Sequence, residues 1–223
     1  MPASPYPLVL ASASPRRREL FALLGLPFRV AVAQVAEVVE RGEPPIEVAI
    51  RLARAKAEVV AAACPDALVV GCDTVVALEG EVLGKPADGE AARAMLFRLR
   101  GRDHAVYTGV AVVGAGRQAV EVARTTVWMR LYSDEEIDTY VASGDPLDKA
   151  GAYAIQHRGF HPAAAWEGCY ANVVGLPLCH LVRLLREWNV HPTLDVPTAC
   201  QRYTGQRCQV FRRILTSLPS NKK

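Results

Sequence analysis

Asp73 stands within Val69-Val70-Gly71-Cys72-Asp73-Thr74-Val75-Val76, an apolar, β-branched run that disfavours a carboxylate. A buried carboxylate is costly unless it is paired or binds a metal. The position therefore suits a metal ligand or a general base acting on water. A strand-edge aspartate that caps nearby backbone would leave the same trace. A second group is Ser12-Ala13-Ser14-Pro15-Arg16-Arg17, where a strand-like run meets a helix start. Free N–H groups, two hydroxyls and adjacent arginines suit a phosphate chain. Arginine opposes the dipole at a helix N-terminus, a conflict an arriving anion would resolve. An ordinary capped helix with solvated arginines is the simpler alternative.

Two further stretches could serve the same chemistry. In Gly84-Lys85-Pro86 a lysine in a short loop can reach a phosphate as a point charge. It is not a Walker A loop, because the spacing from Gly80 is one residue short and Pro86 replaces the Ser or Thr. Asp148-Lys149-Ala150-Gly151-Ala152-Tyr153-Ala154-Ile155-Gln156 has small residues that permit close approach to a ligand. Its Tyr153 and Gln156 offer a flat ring and an amide for a base edge, though a plain loop reads similarly. Other patterns carry nothing. Gly114-Ala115-Gly116 followed by Ala119 leads into a strand-like run, so it is no dinucleotide fingerprint. His191, Cys200 and Cys208 lack a fourth ligand for zinc. The six scattered cysteines contain no CxxC pair and read as free thiols.

The elements that must position these groups follow from periodicity and punctuation. Pro7–Ser12 reads as a buried strand, and Ser14 and Pro15 as the N-cap and first residue of a helix stopped at Gly25. Phe28–Ala33 is a second strand candidate. Pro45–Ala63 is a helix with Glu47, Arg51, Arg54 and Glu58 as its wet face. Ala67–Leu78 reads as a central strand, turning at Glu79-Gly80 into Val82–Leu83. Asp88–Leu99 is a helix, and Ala105–Val113 and Ala119–Leu131 are two long strands. Ser133 and Glu136 form a capping box for a helix ending near Ala142. Asn172–Leu176 reads as a short strand and Pro177–Trp188 as a helix. Helices interleaved with hairpins predict an α/β fold with a mixed, strongly twisted sheet flanked by helices.

The totals bound the function. With 223 residues, 51% hydrophobic and 22% charged, the chain can build one sizeable core. No apolar run is long enough to span a membrane. The N-terminus does not read as a signal peptide, so the cytoplasm is the expected location. From Thr193 onward six basic residues face one acid, giving this tail +5 and residues 1–192 a net −2. A body so balanced is not an electrostatic nucleic-acid binder. Residues 1–192 are therefore read as one domain and 193–223 as a basic appendage, without clear periodicity until Gln209–Leu218.

Taken in order, SASPRR (12–17), AIRLARAKA (49–57), VVGCDTVV (69–76), LGKP (83–86), YVASGDPLDKAGAYAIQ (140–156) and NVVGLPL (172–178) resemble the Maf family of nucleotide pyrophosphatases. The resemblance covers about residues 7–188. It implies a two-lobed fold, similar to inosine triphosphatase, around a central cleft, and hydrolysis of nucleoside triphosphates to the monophosphate and pyrophosphate with Mg²⁺ or Mn²⁺. It implies that Asp73 is the proton acceptor, that Arg16, Thr74 and Gln156 govern substrate choice, and that Glu37, Lys56 and Lys85 belong to the cleft. The combination at 16, 74 and 156 is similar to the branch preferring dTTP and UTP over 7-methyl-GTP. Ser12, Ser14, Arg16, Arg17, Lys56, Thr74, Lys85 and Gln156 are thus the expected substrate-binding set, with Glu37 and Asp73 expected at the metal. The family usually has an acidic pair near Glu37, where this chain has Ala36. A homodimer is left open. The rival readings are a nucleotide-binding regulator of cell division with little turnover, a pyrophosphatase for another nucleotide such as 7-methyl-GTP, and a binder of RNA or membrane surfaces driven by the tail.

Overall fold

The computed structural model describes residues 4–217. Its core is a mixed sheet of seven strands, β1 (Leu8–Ala11), β2 (Phe28–Val30), β3 (Leu68–Leu78), β4 (Glu81–Leu83), β5 (Asp103–Gly114), β6 (Arg117–Met129) and β7 (Ala163–Glu167). The order is β2-β1-β3-β5-β6-β7, with β4 also pairing with β3. β1 is parallel to β2 and β3, and the remaining pairs are antiparallel. The helices are α1 (Pro15–Ala22), α2 (Pro45–Ala63), α3 (Gly89–Leu99), α4 (Asp134–Ala142), α5 (Tyr170–Val174), α6 (Leu178–Arg186), α7 (Val196–Thr204) and α8 (Phe211–Thr216). The local signals hold where expected: Ser14 caps α1 with Pro15 in its first turn, and Ser133 and Glu136 form a capping box on α4.

The alternation of side chains along β3 sorts the core. Val69 packs with Ala53 and Ala57 of α2, and Val75 with Val48, Ala49 and Leu52 of the same helix. Leu68, Val70 and Cys72 point the other way, into a cluster with α1 and α6. Farther along, Val76 and Leu78 join a second cluster with α3 and α4. Two glycines let α2 lie directly on the sheet. A Cβ at Gly71 would sit 2.3 Å from the Ala53 carbonyl oxygen, and one at Gly109 2.2 Å from that of Ala49. The small residues of α2 and these glycines are one device, a close helix–strand contact.

Three expectations need correction. Asn172–Leu176 is not a strand. Residues Tyr170–Val174 form a helical turn, α5, in which the buried Asn172 amide donates to the Val106 carbonyl and the Thr125 hydroxyl. The β-branched pair Val173-Val174 suggested a strand, but no neighbouring strand is offered there. The edge strand β7 was not anticipated, because Ala163-Ala164-Ala165 carries no β signal. The tail, for which no clear periodicity was read before Gln209, folds into α7 and α8. Val196 is buried, and Cys200, Tyr203, Val210 and Leu215 pack on the α1–α6 cluster. Leu218, Lys222 and Lys223 of the sequence reading lie outside the described residues.

Candidate functional site

β3 changes partners halfway along its length, and the site forms in the gap. β1 pairs with β3 from Leu8↔Leu68 to Ala11↔Gly71, and β4 takes over that edge only at Val76↔Leu83. Between them, Cys72 to Val75 face an opening where the chain leaves β1 through Ser12 and enters α1. This is a topological switch point, the usual place for a ligand in an α/β sheet. A cleft of about 430 Å³ lies there. Ser12, Ser14, Arg16, Arg17, Glu37, Lys56, Asp73, Thr74, Lys85 and Gln156 all line it, so the fold gathers the whole set expected from the sequence.

Asp73 is on the α2 face of β3. On α2 the buried stripe runs Ala49, Leu52, Ala53, Lys56, Ala57, Val60, so Lys56 occupies a core position and its ammonium must find an anion. It donates to Asp73 Oδ1 and to Glu37 Oε1, each at 2.5 Å. Both Lys56 and Asp73 are under a tenth exposed. Glu37 comes from the irregular segment between β2 and α2. Arg51 ties this segment to α2, donating to both Glu43 carboxylate oxygens and to the Val38 carbonyl. Lys85 reaches Glu37 Oε2 from the far side at 3.1 Å. Burial would raise the Glu37 carboxyl, but the bonds and charges of Lys56 and Lys85 outweigh it and bring it down to about 2. Glu37 therefore stays ionised throughout the neutral range.

The neighbouring Thr74 points to the opposite face. Its hydroxyl accepts from Arg17 Nη2 at 3.0 Å and pairs with the Thr108 hydroxyl at 2.9 Å. Thr108 in turn donates to the Asn172 carbonyl at 2.9 Å. Arg17 also donates to the Gly175 carbonyl at 2.9 Å and to the Ser12 hydroxyl at 3.4 Å. All three acceptors are neutral, so no carboxylate in this network cancels the guanidinium charge. The Ser14 hydroxyl is turned onto the Arg17 backbone N–H as the helix cap. Thr74 is therefore part of the network that holds Arg17.

The far wall is the 148–156 segment. Gly151 N–H donates to the Gly84 carbonyl at 3.1 Å, joining this wall to the loop that carries Lys85. Gly151 has φ of +71°, and a Cβ there would press on Val76. The Tyr153 hydroxyl is turned inward to the buried His104 at 2.7 Å, so only the ring borders the cleft. Tyr153 is thus a wall, and among the expected base-reading groups of this segment the Gln156 amide remains. Sequence reasoning missed Thr108, Asn172 and Gly175. The NVVGLPL stretch had been singled out, but its reading as a strand hid the role of the Gly175 carbonyl.

Asp73 and Glu37 are the residues here that could serve a divalent cation as ligands. The oxygens of Asp73 and Glu37 converge on one cationic group, Lys56 Nζ, and are the hard donors that Mg²⁺ or Mn²⁺ prefers. No group of three or more His, Cys, Asp or Glu side chains suited to a metal occurs among the described residues. Such a site is incomplete without further oxygens from phosphate and water. No helix among the described residues is long and apolar enough to cross a membrane.

The profile of the family described as "Maf-like protein" matches residues 7–188. The dTTP/UTP pyrophosphatase of Moorella thermoacetica is 55% identical over 185 residues, 82% of this chain and 95% of that protein. That of Pelotomaculum thermopropionicum is 51% identical over 183 residues, covering 81% and 96%. The protein of the same name from Thermomicrobium roseum is 51% identical over 221 residues, 97% of this chain and 99% of its own. At 97% of the chain, this last similarity takes in most of the tail.

Proposed function

This chain belongs to the Maf-like family, and from that membership we propose that it hydrolyses dTTP and UTP to the monophosphate and pyrophosphate, with Asp73 as general base. The observation that carries the mechanism is the buried Lys56 bridging Asp73 and Glu37 at the mouth of the β3 gap. Lys56 engages Asp73 Oδ1 and leaves Oδ2 for a water. That water attacks the α-phosphorus in line, its proton passes to Asp73, and the bridging oxygen leaves with the β-phosphorus as pyrophosphate.

The remaining residues position charge. Arg16, Arg17 and the hydroxyls of Ser12 and Ser14, which line the cleft at the start of α1, meet the phosphates. Lys56 and Lys85 neutralise the charge that accumulates on the leaving pyrophosphate. Phosphoryl transfer depends mainly on such positioning and charge stabilisation. A divalent cation, held by Asp73 and Glu37 together with phosphate oxygens, would add charge neutralisation at the phosphates. Gln156 presents a donor and an acceptor to the imide edge of uracil or thymine. The protein would act in the cytoplasm to clear such nucleotides, as one domain over residues 1–192 with the tail appended.

Pyrophosphate release measured across dTTP, UTP, CTP, GTP and 7-methyl-GTP, with Mg²⁺ or Mn²⁺, tests the reading. Turnover concentrated on dTTP and UTP, and a shift away from UTP in Gln156→Glu, is the expected result. A wild-type preference for another base overturns the substrate assignment. An unchanged UTP/GTP ratio in the variant removes Gln156 from base reading.

A further inference from the structure

The Arg17 guanidinium belongs to a closed ring of hydrogen bonds that reaches from the cleft into the core. Arg17 Nη2 donates to the Thr74 hydroxyl at 3.0 Å, Thr74 pairs with Thr108 at 2.9 Å, and Thr108 donates to the Asn172 carbonyl at 2.9 Å. The same carbonyl accepts from the Gly175 N–H at 3.0 Å, and the Gly175 carbonyl accepts from Arg17 Nε at 2.9 Å, which closes the ring. Arg17, Thr74 and Gly175 line the cleft, whereas Thr108 and Asn172 are fully buried and lie outside its lining. The Asn172 amide pins the ring to the sheet, donating to the Val106 carbonyl of β5 at 3.0 Å and the Thr125 hydroxyl of β6 at 2.9 Å. The ring leaves little slack: a Cβ at Gly175 would lie 3.4 Å from Arg17 Nε and 3.6 Å from the Thr74 hydroxyl oxygen.

We propose that Thr108 is a positioning residue for the triphosphate: it fixes the direction of this ring and so holds the Arg17 guanidinium in place before the substrate arrives. The inference rests on the reading that Arg17 meets the phosphates. Its logic is one of hydrogen-bond polarity. A carbonyl only accepts, so Thr108 gives its single hydrogen to Asn172. Thr74 must then donate to Thr108, which leaves the Thr74 oxygen facing Arg17 as an acceptor. A backbone carbonyl thus sets the polarity at Arg17 from two side chains away. Gly175, Thr74 and Ser12 take three of the five guanidinium donors, leaving two for a phosphate oxygen. Every acceptor in the ring is neutral, so the guanidinium is held without losing its charge to a carboxylate. A free arginine side chain gives up rotamer freedom when it engages an anion. One already held gives up less, and the difference appears as affinity.

Thr108→Val keeps the shape of the side chain and removes the hydroxyl, and Thr108→Ser keeps the hydroxyl. KM and kcat for UTP and dTTP are measured for wild type, these two variants, Arg17→Ala and the Thr108→Val/Arg17→Ala double variant, alongside melting temperature. Thr108→Val is expected to raise KM about fivefold to tenfold on both nucleotides alike, the scale of one lost hydrogen bond, with kcat changed by less than about twofold. Thr108→Ser is expected to restore KM. In the Arg17→Ala background Thr108→Val should raise KM no further, because its effect passes through Arg17. Thr74→Val breaks the next link of the ring and carries the test by the same comparison if Thr108→Val does not fold. If Arg17→Ala raises KM while Thr108→Val leaves it unchanged, or raises it equally in both backgrounds, the role of Thr108 is overturned and phosphate binding by Arg17 stands. An unchanged KM in Arg17→Ala overturns both. A fall in melting temperature and kcat at unchanged KM shows a structural role only and also overturns the proposal.

Discussion

Replacing Lys56 with methionine keeps the length and apolar stem of the side chain and removes the charge between Asp73 and Glu37. Both members of the Lys56–Asp73 pair have side chains about a tenth exposed, and they meet at 2.5 Å. Removing one partner of a buried pair typically costs about 3–5 kcal/mol, because the other charge is left without compensation. Here the pair borders an open cleft, so water recovers part of that loss and about 2–4 kcal/mol is expected. For a domain of this size that is a fall in melting temperature of roughly 5–12 °C. Lys56→Met combined with Asp73→Asn removes the stranded charge and should regain most of the lost stability without activity. Calorimetry of the wild type, the two single variants and the double variant at pH 8 measures the coupling. If Lys56→Met costs under about 1 kcal/mol, or if the double variant is no more stable than Lys56→Met at pH 8, the buried pair is not the constraint that the geometry describes.

Glu37→Gln keeps the shape of the side chain and removes a hard anionic ligand. It should raise the Mg²⁺ or Mn²⁺ concentration for half-maximal turnover by roughly tenfold, the scale of a perturbed metal site; an unchanged metal titration would exclude Glu37 from the metal. Chelation in the wild type should abolish turnover, with recovery on adding back either ion, and turnover that persists in excess chelator would remove the cation from the reaction. Acid should destabilise the fold through two histidines. Burial holds His104 and His180 down to about 4 against an ordinary 6.5, so the unfolded chain takes up protons first and stability is lost as the pH falls from about 6.5 to about 4. Above 6.5 both states are neutral and these groups contribute no slope. Each represents up to about 3 kcal/mol over that window, and urea unfolding at pH 7.5, 5.5 and 4.5 should show the decline; a flat profile would contradict their burial in neutral form.

The local elements were legible because their signals are short-range. The Ser14-Pro15 start of α1, the capping box of α4 and the alanine-rich α2 each follow from a few adjacent residues. Asp73 was legible as a carboxylate in a β-branched strand. Lys56 entered only through the family resemblance, although it interrupts the apolar stripe of α2 at the spacing of Ala49, Ala53 and Val60. Tertiary contacts hid the rest. Gly71 and Gly109 do not reveal that they face α2 until the sheet register is known. Asn172 reads as part of a β-branched run because its buried partners, Val106 and Thr125, lie on strands far away in sequence. The tail shows no strong periodicity, because α7 and α8 bury only scattered residues against a surface that other elements supply.

The central claim is that the buried carboxylate at position 73 activates the water that splits the nucleotide. Pyrophosphate release from UTP by Asp73→Asn, with nucleotide affinity measured on the same preparation, tests it most directly. Turnover is expected to fall by about a hundredfold or more while binding persists. Turnover close to wild type in a folded Asp73→Asn protein would contradict it and place the base elsewhere in the cleft.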